Sequence, residues 1–326
     1  MRTTAGAAIL ALAALGAGLG LHALQPAVPA TGAAPDPLGS PAACRDYSGL
    51  PRGWGVTPRA GMLRVAAGRF ERGSLRGYAD ERPLVDTRVD AFWMDRTEVS
   101  NAQFASFVAA TAYVTEAERT GATAVFRVPP PDAAALEPGS GWKLLKGADW
   151  RHPEGPDSSI AGRDNVPVVN VSLADAQAYA AWLGRELPSE MQWEFAARAG
   201  RSNAAADAAL LDAGQRPQAN VWQGLFPIED RGDDGFPGRA PVGCFAANPY
   251  GLHDMIGNVW EWTTDLYRGR LDAVAAAATP SAPRVIKGGS FLCADNYCVR
   301  SRASARHPQE PDLPTTHLGF RTVARD

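Results

Sequence analysis

Cys293 and Cys298 stand five positions apart in "KGGSFLCADNYCVR", residues 287–300. No other feature limits the fold as tightly. On a straight strand, residues five apart face opposite sides. On an α-helix they lie about 140° apart around the axis. The two sulfurs therefore meet only if the chain reverses between them. "ADNY" supplies a reversal, because Asp295 and Asn296 are good turn formers. Gly288 and Gly289 allow backbones to approach closely, and Ser290 adds a hydroxyl. Three readings fit such a pair: a small structural disulfide, a reactive dithiol, or a clip for a soft ion. For two thiolates with few other donors nearby, that ion is Cu(I).

The compartment bears on the choice. "MRTTAGAAILALAALGAGLGLHALQPAVPA" carries one charge, Arg2, before an apolar run from Ala5 to Leu24, and small residues close it at Val28-Pro29-Ala30. Residues 1–30 are expected to be a secretory signal peptide or an uncleaved N-terminal membrane anchor. Either one exports the chain, to a periplasmic or cell-envelope location where thiols oxidise. Cys44 and Cys244 are candidates for a bridge there, although spacing does not fix connectivity. Residues 31–59, rich in Pro, Ala and Gly, are expected to be a linker.

From residue 60 to 326 the pattern is that of one folded domain. The formal charge is −3 with no basic stretch, which leaves no footprint for nucleic acid. Nine tryptophans among many Gly and Pro suit a loop-rich fold with shaped surfaces better than a helical bundle. "MLRVAAGRF" and "TRVDAFWMD" alternate as strands do. Ser100 with Gln103, and Ser189 with Gln192, are capping boxes that open helices, and Ser172 caps a third. Phe104, Phe107 and Val108 share one helical face, as do Leu173, Ala176, Tyr179, Ala180 and Leu183. Gly184 and Gly200 stop the two later helices. "VPVVNVS" is expected to be a buried strand, and residues 112–165 a long surface excursion ordered by Trp142 and Trp150. The fold class is α+β, irregular and loop-rich.

Two segments offer hard oxygen donors. "ANVWQGLFPIEDRGDDGF" holds Asn220, Asp230, Asp233 and Asp234 among glycines that let carbonyls turn inward. Calcium takes about six to eight such oxygens, though a solvated Asp-Gly turn reads the same way. In "YGLHDMIGNVWEW", Asp254 and Glu261 bracket a glycine turn, and Glu261 lies between Trp260 and Trp262, where a carboxylate needs a partner. No HExxH, P-loop, GxGxxG or GxSxG stretch is present. The histidines, His152, His253, His307 and His317 among them, show no ligand spacing.

"GGSFLCADNYC" with "HLGFR" resembles the sulfatase-modifying, formylglycine-generating enzyme family. "LPSEMQWEFAAR", "ANVWQGLFP" and "YGLHDMIGNVWEW" match the same family in the same order, over roughly residues 60–325. The resemblance implies a fold related to C-type lectins and two Ca2+ sites. One site would take side chains of Asn220 and Asp234 with carbonyls of Val221 and Phe236. The other would take Asp254 and Glu261 with carbonyls of Gly257 and Val259. It implies that Cys293 and Cys298 hold Cu(I) and receive a substrate thiol, with Ser290 and Trp260 lining an oxygen pocket. The implied reaction converts a cysteine in a Cys-x-Pro-x-Arg segment of an unfolded sulfatase polypeptide to Cα-formylglycine, using O2 and a thiol reductant. Many members carry His after the first cysteine, where this chain has Ala294. Relatives often read Arg-Tyr-Arg where it has Arg300-Ser301-Arg302. Arg306 and "LGFR" are kept.

Other readings remain. A peptide- or glycan-binding module of the same fold needs no thiols. A sulfoxide synthase of the ergothioneine type brings a helical domain that does not fit before residue 60. A thiol–disulfide exchanger would show Cys-x-x-Cys at a helix start.

Overall fold

A computed structural model describes residues 38–129, 141–206, 217–273 and 279–326, all within one unit, Asp36–Asp326. The expected signal or anchor segment, 1–30, lies outside the described residues. Elements follow in chain order: α1 (Pro41–Arg45), β1 (Met62–Val65), β2 (Gly68–Arg72), β3 (Val85–Val89), β4 (Phe92–Asp95), α2 (Asn101–Thr111), α3 (Glu116–Thr120), β5 (Ala122–Phe126), β6 (Trp142–Lys146), α4 (Leu173–Trp182), α5 (Glu190–Arg198), α6 (Asn203–Ala206), β7 (Trp260–Leu266), β8 (Arg284–Lys287), β9 (Arg306–Gln309), β10 (Leu318–Gly319) and β11 (Val323–Arg325). Short elements joined by long irregular stretches make the α+β, loop-rich fold that the sequence predicts.

The strands form four small sheets, in the orders β1-β4-β11, β10-β7-β8-β9, β2-β3 and β5-β6. The four-stranded sheet positions the site. β7 carries "WEWTTDL", and β8 ends at Lys287 where the thiol segment begins. β10 pairs parallel to β7, setting Leu318 opposite Trp260 and Gly319 opposite Glu261.

The helices begin where the caps predict. Ser100, Ser172 and Ser189 each accept from the backbone N–H three residues on, and each sits in a reciprocal capping box. α2 and α4 meet through rings. Phe104 stacks on Tyr179 at 5.9 Å between centroids and meets Trp150 and Phe320 edge-on. That cluster is continuous with Trp260, Trp262, Ile286 and Cys293, so the thiol segment rests on the main core. α5 buries charge as well as rings. Trp193 Nε1 donates to Glu261 Oε2 at 2.7 Å, and Lys287 Nζ donates to Glu194 Oε2 at 3.1 Å inside the protein.

Three expectations change. "VPVVNVS" is buried but forms no ladder strand. Pro167 has no N–H to give, and Asn170 turns the backbone left-handed at φ 57°. The segment pairs only at the Ser100–Pro167 bridge. The 112–165 stretch is built into the domain through α3 and the β5-β6 hairpin, with Trp150 fully buried. Residues 38–59, expected as part of a linker, pack on the domain. Cys44 is inaccessible and bonded to Cys244 across 200 residues, and Gly39 N donates to Gly243 O at 2.7 Å.

Candidate active site and cation sites

The reversal predicted between the cysteines is present. The N–H groups of Tyr297 and Cys298 both donate to Ala294 O, at 3.0 and 2.9 Å. Asn296 serves a different purpose from the one its turn propensity suggests. Its side chain accepts from Phe226 N at 3.2 Å and donates to Phe226 O at 3.0 Å, while Tyr297 stacks on the Phe226 ring. The turn is thus clamped from outside. From within, Cys293 N donates to Ser290 O and Cys293 O accepts from Trp222 N. Gly289, at φ 77°, lies so close to Ser301 that a Cβ would come within 2.7 Å of its Oγ, and this contact folds the two ends of the segment together.

Cys293 and Cys298 are free thiols with sulfurs 2.8 Å apart. A disulfide bond is about 2.05 Å long, so the pair is close but unbridged. Cys293 is buried and Cys298 half-buried. Burial pushes the Cys293 thiol well up. The hydrogen bond from Cys293 pulls Cys298 below the usual thiol range, and Arg300 and Arg302 pull it further. Those arginines are held in place. Arg300 donates to Asp80 Oδ2 at 3.1 Å and covers the Tyr78 ring, and Arg302 binds Glu81.

Ser290 and Trp260 are both buried; Ser290 O accepts from Cys293 N, and Trp260 lies in the same core cluster as Cys293. The structure adds two residues that spacing left unassigned. Ser290 Oγ lies 3.4 Å from His317 Nδ1, and His307 stacks on Trp260 with 5.6 Å between ring centroids. Burial pushes His307 down to about 4 and His317 down to about 3, so both rings are neutral near pH 7. Their only sequence signal was position, one beside Arg306 and one opening "HLGFR". Phe291 and Leu292, the two residues before Cys293, line a cleft of about 700 Å3 with Phe126, Trp222, Arg163 and Arg239.

The first oxygen-rich segment converges on Asp234. Its carboxylate accepts from Phe236 N at 2.9 Å, Val221 N at 3.3 Å and Gln223 Nε2 at 2.9 Å. The same Gln223 nitrogen donates to Val221 O, so a positive amide edge bridges two of the predicted ligands. Asn220 gives both amide hydrogens away, to Gly238 O and Asn258 Oδ1. Asp233 pairs instead with Arg231 at the surface, and Asp230 caps its own loop through Gln223 N and Gly232 N.

The second segment is arranged around an arginine. Arg321 holds both Glu261 oxygens at 2.7 Å, so Glu261 is ion-paired as well as bonded to Trp193. Asp254, in left-handed backbone at φ 53°, accepts from Gly243 N while its Oδ1 is buried with no partner. Glu98 Oε2 is in the same condition. Burial, with repulsion from Asp254, raises Glu98 well up, and burial, with a smaller push from Glu261, brings Asp254 to about 6. Among the described residues no three acidic, cysteine or histidine side chains close on a single point. Glu98, Arg321 and Asn258 were not singled out as members of this centre. Only Arg321 had a signal, the Arg closing "HLGFR".

A free thiol pair on an irregular α+β scaffold, with Cys298 lowered by its hydrogen bond from Cys293 and further by the arginines, suits redox chemistry, and the relatives support an oxidoreductase. Residues 49–326 match the sulfatase-modifying factor enzyme 1-like domain, and the chain belongs to that family. It is 44% identical over 292 residues to a formylglycine-generating enzyme of Mycobacterium tuberculosis, covering 81% of this chain and 97% of that protein. It is 37% identical over 277 residues to a Bos taurus relative named inactive C-alpha-formylglycine-generating enzyme 2, covering 81% and 87%. Among solved structures, PvdO from Pseudomonas aeruginosa shares the fold at a TM-score of 0.60 and 21% identity, over 90% of this chain and all of that one.

Proposed function

We propose that this protein oxidises a cysteine in a Cys-x-Pro-x-Arg segment of an unfolded sulfatase to Cα-formylglycine, with O2 as oxidant and a thiol as co-reductant. The atoms balance as one substrate cysteine, one O2 and two reductant thiols giving one aldehyde, one hydrogen sulfide, one water and one disulfide. The observation that carries the reading is the free pair Cys293–Cys298, with sulfurs 2.8 Å apart, the first residue buried and the second half-buried.

Two such sulfurs fit Cu(I), and Cys293 and Cys298 would hold it. Bound there, copper supplies the one-electron chemistry that activates O2 and opens a Cβ–H bond of the substrate cysteine. The protein's own residues do the rest. Arg300 and Arg302 favour the thiolate at Cys298. Trp260 and the neutral histidines would keep the surroundings of Ser290 uncharged. The cleft of about 700 Å3 along Phe291 and Leu292, the two residues before Cys293, is the place proposed for the peptide.

Two Ca2+ ions fit the oxygen-rich segments. At the first, the Gln223 amide bonds both Val221 O and Asp234, and the residues that would hold a cation are Asn220, Val221, Asp234 and Phe236. At the second, the buried Asp254 oxygen without a partner supports the reading, and Asp254 with the carbonyls of Gly257 and Val259 would hold the ion. Glu261 would reach that ion only by sharing its carboxylate with Arg321. Calcium here fixes irregular loops and has no redox part. The buried Cys44–Cys244 bridge supports an exported, periplasmic or cell-envelope location. Cleavage or membrane anchoring of the N-terminal segment belongs to the same proposal.

The test is mass spectrometry of a Cys-x-Pro-x-Arg peptide after incubation in air with copper-loaded protein and a thiol reductant. Replacement of sulfur and two hydrogens by one oxygen supports the reading. Tight peptide binding without that change would identify a binding module instead.

A further inference from the structure

We propose that His317 is a positioning residue of the thiol site: its Nδ1 accepts the Ser290 hydroxyl proton and so fixes the direction of the Ser290 oxygen beside Cys293. This rests on the functional reading above for its role in turnover, though not for its geometry.

Ser290 is inaccessible to solvent, so its hydroxyl proton needs an acceptor inside the protein. The Ser290 oxygen already accepts from Leu292 N at 3.3 Å. Among the described residues, the acceptor facing it is His317 Nδ1, at 3.4 Å. The histidine is itself well located. Its carbonyl accepts from Trp260 N at 2.8 Å, and its ring stands edge-on to Trp142 with centroids 4.7 Å apart. His307 is the titratable neighbour it feels, and among the described residues no carboxylate supports it. The arrangement is therefore unlike a Ser-His-acid triad, in which an acid orients the ring and the serine is made nucleophilic.

A neutral imidazole has one accepting and one donating nitrogen. If Nδ1 accepts from Ser290, the proton sits on Nε2. Ser290 then spends its proton on His317 and one lone pair on Leu292 N. Its second lone pair is left in a fixed direction, able to accept from a thiol S–H that comes up to it during turnover. Without His317 the hydroxyl would rotate, and the entering thiol would meet a donor as often as an acceptor.

Long-range proton–nitrogen NMR of the full chain reads the tautomer directly. The expected result is Nε2–H with an unprotonated Nδ1 from pH 7 to 5, and a shift of the Nδ1 resonance in Ser290→Ala. An Nδ1–H tautomer, or a charged ring at pH 6, would overturn the proposal. Kinetics on the Cys-x-Pro-x-Arg peptide supply the second arm. His317→Ala is expected to lower kcat about tenfold with little change in KM. His317→Asn keeps an acceptor near the Nδ1 position and restores most of the rate, whereas His317→Gln, with its acceptor farther out, does not. The Ser290→Ala/His317→Ala double variant is expected to be no slower than Ser290→Ala alone. Equal losses in the Ala and Asn variants, or additive losses in the double variant, count against it. Should the unaltered protein fail to convert peptide, the functional reading falls while the tautomer measurement still decides the geometry.

Discussion

Asn220 Nδ2 donates to Asn258 Oδ1 at 3.0 Å, and Asn258 N donates back to Asn220 O at 2.8 Å. This reciprocal bond joins the two oxygen-rich segments. Asn258 also accepts from Ala240 N at 2.9 Å and donates to Glu98 Oε1 at 3.1 Å, while its carbonyl accepts from Phe291 N. Gly257 beside it has room for no side chain, since a Cβ would lie 2.3 Å from Asn220 O. One inaccessible amide therefore links both candidate cation sites to the thiol segment.

Asn258→Ala leaves several buried groups without partners, each costing about 1–3 kcal/mol. We expect the variant to lose about 3 kcal/mol or more in urea unfolding, and to bind less calcium at both sites by calorimetry. A loss confined to one site would show that the amide does not couple them.

Cys293→Ser and Cys298→Ser are each expected to abolish aldehyde formation while far-UV circular dichroism and melting temperature stay close to those of the parent. A hydroxyl matches a thiol in size but is a poor ligand for a soft ion. Full turnover by either variant would remove the thiols from the chemistry.

Stripping calcium should lower the melting temperature, because Asp254, Glu98 and Asp234 are buried acids that a cation would satisfy. The measurement is differential scanning calorimetry with chelator, then with calcium restored. An unchanged melting temperature, together with no bound calcium by elemental analysis, would refute both sites.

The buried imidazoles predict a pH effect of definite sign. The folded-state values of His307 and His317 are depressed to about 4 and about 3. Below about pH 6.5 the unfolded chain takes up protons that the native protein refuses, so stability falls as pH drops from there. Each ring contributes a slope of up to about 1.4 kcal/mol per pH unit until its own folded value is reached. The raised carboxylates Asp254 and Glu98 act in the opposite sense, so the comparison must be with a His307→Gln/His317→Asn double variant. Urea unfolding at pH 7, 6 and 5 should show a flatter acid limb in the variant.

What the sequence reveals follows from how local each interaction is. Ser100 with Gln103 and Ser189 with Gln192 declare helix starts because cap and partner lie three residues apart. The reversal between the cysteines is legible for the same reason. Pro167 and Asn170 show the limit: an apolar run predicts burial, but pairing depends on N–H groups and backbone angles that hydrophobicity does not encode. Arg321 and Glu261 are 60 residues apart, and Glu98 and Asn258 are 160 apart. Nothing near any of these four announces its partner. His317 is an ordinary histidine in the sequence and becomes specific only when β10 is laid beside β7.

The difference in depth between the two sulfurs gives the thiol pair a front and a back. Any small oxidant, alkylating reagent or reducing thiol arriving from solvent strikes Cys298 first, and reaches Cys293 only by way of its neighbour. The difference in burial between the two residues therefore gives the pair an order in which reagents from solvent meet it.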